Sequence, residues 1–136
     1  MAKKFRGVQI VKEIEDAMDK GMARFLVNTQ SKLAKSAPYF TGRLASSWMI
    51  GQNTPNRSAP SERKEPGPIV ITPFTGKITA NGNWYISSNL PYSQRVCFDP
   101  VWAKGGKGGA QWFTSIANNL NKDAERSFGY FLRQVK

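Results

Sequence analysis

The stretch Ala37-Pro38-Tyr39-Phe40-Thr41-Gly42-Arg43-Leu44-Ala45-Ser46-Ser47-Trp48 marks the point where a helical pattern gives way to an extended one. Pro38 has no backbone N–H and pushes the residue before it out of the helical region, so a helix arriving from upstream ends here. Thr41 can cap a short turn, Gly42 permits a tight backbone, and the chain leaves as an extended segment from about Ser46 to Gly51. A long helix followed by strands and a further helix predicts an α+β fold.

Upstream, Val11, Ile14, Met18, Met22, Phe25, Thr29 and Leu33 recur at spacings of three and four, one stripe of a helix from about Gly7 to Lys35. The stripe is expected to be buried. Gly21 costs such a helix about 1 kcal/mol relative to Ala and marks either a bend or the close approach of another backbone.

Downstream, Gln52 to Gly67 holds Pro, Asn, Ser, Arg, Lys and Glu, with nothing apolar larger than Ala beyond its prolines. Such a stretch adds nothing to a core, and structureless connections of this length are uncommon in compact domains. Residues 52–67 therefore read as an extended polar arm that orders only against a neighbour. Ile69-Val70-Ile71-Thr72, Ile78-Thr79-Ala80 and Trp84-Tyr85-Ile86-Ser87-Ser88 are rich in strand formers. Thr75-Gly76 and Asn81-Gly82-Asn83 separate them, which predicts a small antiparallel sheet with a hairpin at the second break. Pro91 to Phe98 suits a short helix. Residues 103–110, with Lys104-Gly105-Gly106-Lys107-Gly108-Gly109, form a flexible glycine loop. Beyond it Trp112, Ile116, Leu120, Ala124, Phe128, Phe131 and Val135 step by three and four, a second amphipathic helix.

The 136 residues fit one domain, 1–136, and 40% hydrophobic with 21% charged residues is globular composition. No apolar run approaches the length of a membrane span, and the basic start at Met1–Phe5 lacks a signal-peptide core, so no membrane partner and cytoplasmic synthesis are expected. The net charge is +11, and Lys20 to Ser61 contains six bases and no acid. A field of this sign attracts nucleic acid, and it equally serves solubility or an acidic protein partner.

Histidine is absent, which removes the commonest general base, the commonest metal ligand and every Ser–His or Cys–His arrangement. Glu13, Glu15, Asp16 and Asp19 flank the first helical stripe, and Asp16 with Lys20 forms an i,i+4 pair, so they read as a solvated face. The glycine loop lacks a hydroxyl residue beside Lys107 and is no P-loop; a loop contacting a neighbouring subunit and a DNA-backbone contact through Lys104 and Lys107 both fit it. Trp48, Trp84, Trp102 and Trp112, with Tyr85 and Tyr92, suit core or interface burial better than base stacking. Cys97, the only cysteine, excludes an intrachain disulfide and reads as a small buried hydrophobe. No catalytic residue, metal or cofactor is expected.

Two segments carry a family resemblance: Ala37-Pro38-x-x-Thr41-Gly42-x-Leu44-x-x-Ser47, and, about fifty residues later, Asn89-Leu90-Pro91-Tyr92-Ser93-Gln94-Arg95-Val96. They resemble the paired signatures of bacteriophage neck and tail-completion proteins, the head–tail joining family that includes the group called minor tail protein Z. Those members show A-P-x-x-T-G-x-L-x-x-S after a long helix and N-x-P-Y-A-x-x-[VL]-E-x-G after a hairpin. This chain departs at Ser93, Cys97 and Asp99, where the pattern has Ala, Glu and Gly, so no role of that Glu is carried over. The resemblance implies a non-enzymatic virion subunit in a homo-oligomeric, hexameric ring between the connector and the tail tube, or a tail-terminator ring. It also implies neighbouring connector and tail proteins as partners, with double-stranded DNA passing through the bore. Pro38, Thr41, Gly42, Leu44, Ser47, Pro91 and Tyr92 would then be structural, while Arg43, Arg57, Arg63, Lys64, Lys104 and Lys107 are candidates for DNA-channel or subunit contacts. The rival from another class is a free-standing basic nucleic-acid-binding protein.

Overall fold

The computed structural model describes residues 2–37, 42–91, 96–97 and 111–135, with side chains described from Gly7 in the first helix and from Trp112 in the last segment. Helix α1 spans Ala2–Ser36, strand β1 Trp48–Gln52, strand β2 Trp84–Ser88, helix α2 Gln111–Asn118 and helix α3 Leu120–Leu132. The fold is α+β.

At 35 residues α1 runs for about 52 Å. It stops at Ser36, one turn past Leu33, whose carbonyl accepts the Ala37 N–H at 3.0 Å. Gly21 marks a close approach of a second helix. A Cβ placed there would lie 2.9 Å from the Phe128 Cα of α3 and 2.6 Å from its ring.

The α1 stripe is buried only in part. Thr29 and Leu33 are buried, and Met18, Met22 and Phe25 are half-buried, but Val11 is 55% and Ile14 40% exposed, with Val8 at 75%. The cause is length. Pairing of α1 with the C-terminal segment brings Ala17 and Glu13 beside Phe131, Gln134 and Val135, so the turns before Glu13 reach past the described partner. The second stripe behaves as expected, with Trp112, Ile116, Leu120, Ala124, Phe128, Phe131 and Val135 all half-buried. Its helix is broken at Asn119, whose N–H bonds the Ile116 carbonyl at 3.1 Å and whose side chain bonds the Ser115 carbonyl at 2.8 Å. Asn offers the backbone such local partners, and α3 restarts one residue later.

The sheet differs from the expected one. β2 pairs antiparallel with β1, Trp48 opposite Ser88, Ile50 opposite Ile86 and Gln52 opposite Trp84. Ile69–Thr72 and Ile78–Ala80 are not strands, and no hairpin forms about Asn81-Gly82-Asn83, although the chain does turn there. Pro68 and Pro73 bracket the first run and remove two ladder donors. Side chains take three of the backbone groups of these runs: Ser46 Oγ accepts from Val70 N at 2.9 Å, Gln30 donates to the Thr72 carbonyl at 2.8 Å, and Trp84 Nε1 donates to the Thr79 carbonyl at 2.7 Å. Pairing with β1 instead places Trp48 and Ile86 in one apolar cluster with Leu33 of α1 and Trp112, Phe113 and Ile116 of α2.

The core has two parts. Ala37, Leu44, Ala45, Leu90 and Val96 form one; Leu33, Trp48 and Cys97, covered by Ile86, Phe113 and Ile116, form the other; Trp112 packs on both. Of the short helix expected at Pro91–Phe98, Val96 and Cys97 are helical and the remainder apart from Pro91 lies outside the described residues, as does the glycine loop 103–110.

Two stability outcomes follow. Gly21→Ala should lower the unfolding free energy by about 1–3 kcal/mol, because its Cβ meets backbone. Gly7→Ala, with nothing within 4 Å of its Cβ, should raise it by about 0.5–1 kcal/mol. Chemical denaturation of the pair reads both signs.

Burial pushes the Cys97 thiol from 9.0 up to about 11. The unfolded chain thus loses this proton before the folded one, so the stability difference is intact below about pH 9 and declines between pH 9 and about 11. Denaturation midpoints across that window should fall less in Cys97→Ala than in the parent protein.

Candidate interaction surfaces

The turn after α1 is built on Gly42, whose φ of 85° lies in the left-handed region that favours glycine. Ser46 N–H then bonds the Gly42 carbonyl and Ser47 N–H the Leu44 carbonyl, each at 3.0 Å. The Ser47 side chain, 0% exposed, lies 2.6 Å from the Leu44 carbonyl, to which it donates, and 2.7 Å from Ser88 Oγ in β2. With its one proton committed to Leu44, it accepts from Ser88. Leu44 is buried beside Leu90 and Val96. Gly42, Leu44 and Ser47 therefore act together at the junction of turn and sheet, with Pro91 at the edge of the same region. Pro38, Thr41 and Tyr92 lie outside the described residues.

The candidate basic contacts gather on one segment. Arg43 Nε donates to the Pro60 carbonyl at 3.1 Å and Arg63 Nη1 to the Pro68 carbonyl at 2.8 Å, so both guanidinium groups engage the backbone of residues 52–68. Arg57 and Lys64 sit on that segment and are exposed. Lys104 and Lys107 are outside the described residues. The arm expected to order only against a neighbour is tied to its own chain: Ser87 Oγ donates to the Asn56 carbonyl at 3.3 Å and Asn89 Nδ2 to the Arg57 carbonyl at 2.8 Å. At Gly51 a Cβ would collide with the Thr54 carbonyl and lie 2.6 Å from Asn56 N, because the chain doubles back across β1 there.

Three features were not foreseen from the sequence. Gln30, 1% exposed, sends Nε2 to the Trp48 carbonyl at 2.7 Å as well as to Thr72, fastening β1 and the following segment to α1. Asp19, expected on a solvated face, accepts from Ala80 N at 2.8 Å. Most consequential is a groove between α1 and α3 lined by Arg24, Lys32, Arg126 and Arg133 around a single acid, Asp123. Lys32 pairs with that acid at 2.6 Å, Arg24 stands 4.3 Å over the Tyr130 ring, and Arg133 Nε bonds the Gly129 carbonyl at 2.9 Å. The spacings Arg24–Lys32 and Arg126–Arg133 are helical. Only the antiparallel pairing of the helices makes one basic surface of them.

Of the tryptophans, Trp48 is buried against Trp112 and Phe113, with ring centroids 6.1 Å apart in both pairs, and Trp84 meets Phe74 edge-on at 5.2 Å. Trp102 and Tyr92 are outside the described residues. Thr29 and Trp48 line an apolar pocket of about 250 Å³ with their polar atoms unpartnered. Among the described residues no three or more His, Cys, Asp or Glu side chains come together as a metal site, and no helix is long and apolar enough to cross a membrane.

Comparison with known proteins finds no match. No family model, curated protein or solved structure is similar enough to this chain to be assigned to it.

Ser47→Ala removes the hydroxyl's bonds to the Leu44 carbonyl and to Ser88 while the backbone N–H of residue 47 still holds that carbonyl, and should cost about 0.5–1.5 kcal/mol of stability. Gly42→Ala should cost about 1–2 kcal/mol through backbone strain alone. Thermal or urea unfolding checks both, and an unchanged midpoint for Ser47→Ala would contradict the hydrogen-bond assignment.

Proposed function

We propose that this chain is a structural virion protein of a tailed phage, a subunit of a homo-oligomeric ring at the head–tail junction through which DNA passes. One observation carries the proposal. The two segments that resemble neck and tail-completion signatures, far apart in sequence, supply a single buried cluster: Ala37 and Leu44 from the first, Leu90 and Val96 from the second. A joint of this kind sets the angle between a long helix and a sheet, a requirement for a subunit whose activity is its shape. The exposed apolar turns of α1 and the exposed Ile69, Val70 and Ile71 offer surface for neighbours. The basic groove favours one rival, a free-standing nucleic-acid-binding protein.

Electron microscopy of purified particles tests the proposal. The expected result is density for the α1–α3 pair in a ring at the head–tail junction; particles that lack the protein, or carry it elsewhere, would overturn it. The rival requires DNA affinity of the isolated chain with a steep salt dependence.

A further inference from the structure

The groove between α1 and α3 is built almost wholly of hydrogen-bond donors. From α1, Arg24, Asn28 and Lys32 line it at four-residue steps, and α3 adds Arg126, Ser127, Tyr130 and Arg133. Each of these carries an N–H or O–H group, while the one acid in the lining, Asp123, is already paired with Lys32 at 2.6 Å. The charges of Arg24, Arg126 and Arg133 therefore meet no acid that lines the groove. Arg133 commits only Nε, to the Gly129 carbonyl. No aliphatic side chain lines the groove, so it lacks the apolar centre that anchors a protein partner; interfaces with DNA are more polar and more positive. Arg24 and Lys32 stand about 12 Å apart along α1, and Arg126 and Arg133 about 10 Å apart along α3. That length spans about three phosphates of one DNA strand, at about 3.4 Å of rise each.

We infer that this groove seats the sugar–phosphate backbone of duplex DNA, one strand lying along it; the inference rests on the reading above, in which DNA passes the subunit. Arg24, Arg126 and Arg133 meet neighbouring phosphates, whose oxygens match the guanidinium fork, and Asn28 adds a neutral donor. Contacts of this kind position the duplex and read no sequence. A single strand is the weaker fit, because it is held by stacking its bases on aromatic rings. Arg24, 4.3 Å over the Tyr130 ring, covers a face of the one aromatic that lines the groove. Toward the start of α1 the groove gives way to Asp16 and Glu13, beside Phe131, Gln134 and Val135, and their charge turns phosphates away.

Binding of the full chain to a short labelled DNA duplex, read by fluorescence anisotropy across a salt series, tests the assignment. Each phosphate contact contributes about 0.9 to the slope of log affinity against log salt. R24Q/R126Q should therefore bind more weakly, to the same degree on duplexes of different sequence, with a slope shallower by about 2. R24K/R126K keeps both charges and should keep the parent's slope, and circular dichroism of both variants should match the parent's. K12Q/K77Q removes the same charge from exposed lysines that do not line the groove, and should leave the slope near the parent's. A parent without affinity for the duplex at low salt, an unchanged slope in R24Q/R126Q, or an equal loss in K12Q/K77Q would each overturn the groove assignment. So would tighter binding of a single strand than of the duplex. Displacement of the duplex by polyglutamate at equal charge concentration would overturn it too, and reassign the groove to an acidic protein. None of these results bears on the virion reading, which stands or falls by particle imaging.

Discussion

Trp112 is the contact on which the remainder of the molecule depends. It lies against the cluster of Ala37, Leu44, Ala45, Leu90 and Val96 and also against Leu33, Trp48 and Cys97, meeting Trp48 edge to face. Through this one side chain the turn after α1, the sheet and the C-terminal helices share a core. Edge-to-face aromatic pairs add about 0.5–1.5 kcal/mol beyond the area they bury. The cost is a buried indole N–H without a partner, an arrangement shared by Trp48.

The long connection between β1 and β2 is ordered by a different physics. Residues 53–83 contain no helix or strand, and most of their side chains are exposed. What positions them is a set of separate hydrogen bonds from the body: Gln30 to Thr72, Ser46 to Val70, Arg43 to Pro60, Asp19 to Ala80 and Asn89 to Arg57. Such bonds contribute about 1 kcal/mol each and lack the cooperativity of a ladder, so this segment can be exchanged for contacts to a neighbour more easily than the core can. Its exposed run Ile69, Val70 and Ile71 retains strand-forming side chains without a sheet to join.

Charge and apolar surface are distributed in the same spirit. Positive charge concentrates where α1 and α3 pair, while Glu13 and Asp16 lie farther along that pairing, beside Phe131, Gln134 and Val135. Cys97, the only thiol in the sequence, is held protonated by burial beside aromatic rings.

The sequence alone determined the elements governed by local rules. Helical periodicity placed α1 and the C-terminal stripe, the proline rule put the end of α1 ahead of Pro38, and Gly21 and Gly42 stood out as a bend or close approach and as a tight turn, which the structure resolves as a helix crossing and a left-handed φ. Tertiary structure decided which strand formers pair. Trp84–Ser88 joins Trp48–Gln52 across an intervening 31 residues and bypasses the nearer Ile69–Thr72 and Ile78–Ala80. It also decided how far the α1 stripe is covered and which arginines share a groove. Periodicity shows which face of a helix is apolar but not where its partner ends, and sheet pairing is settled by the apolar surface buried when distant segments meet, a quantity no local pattern contains.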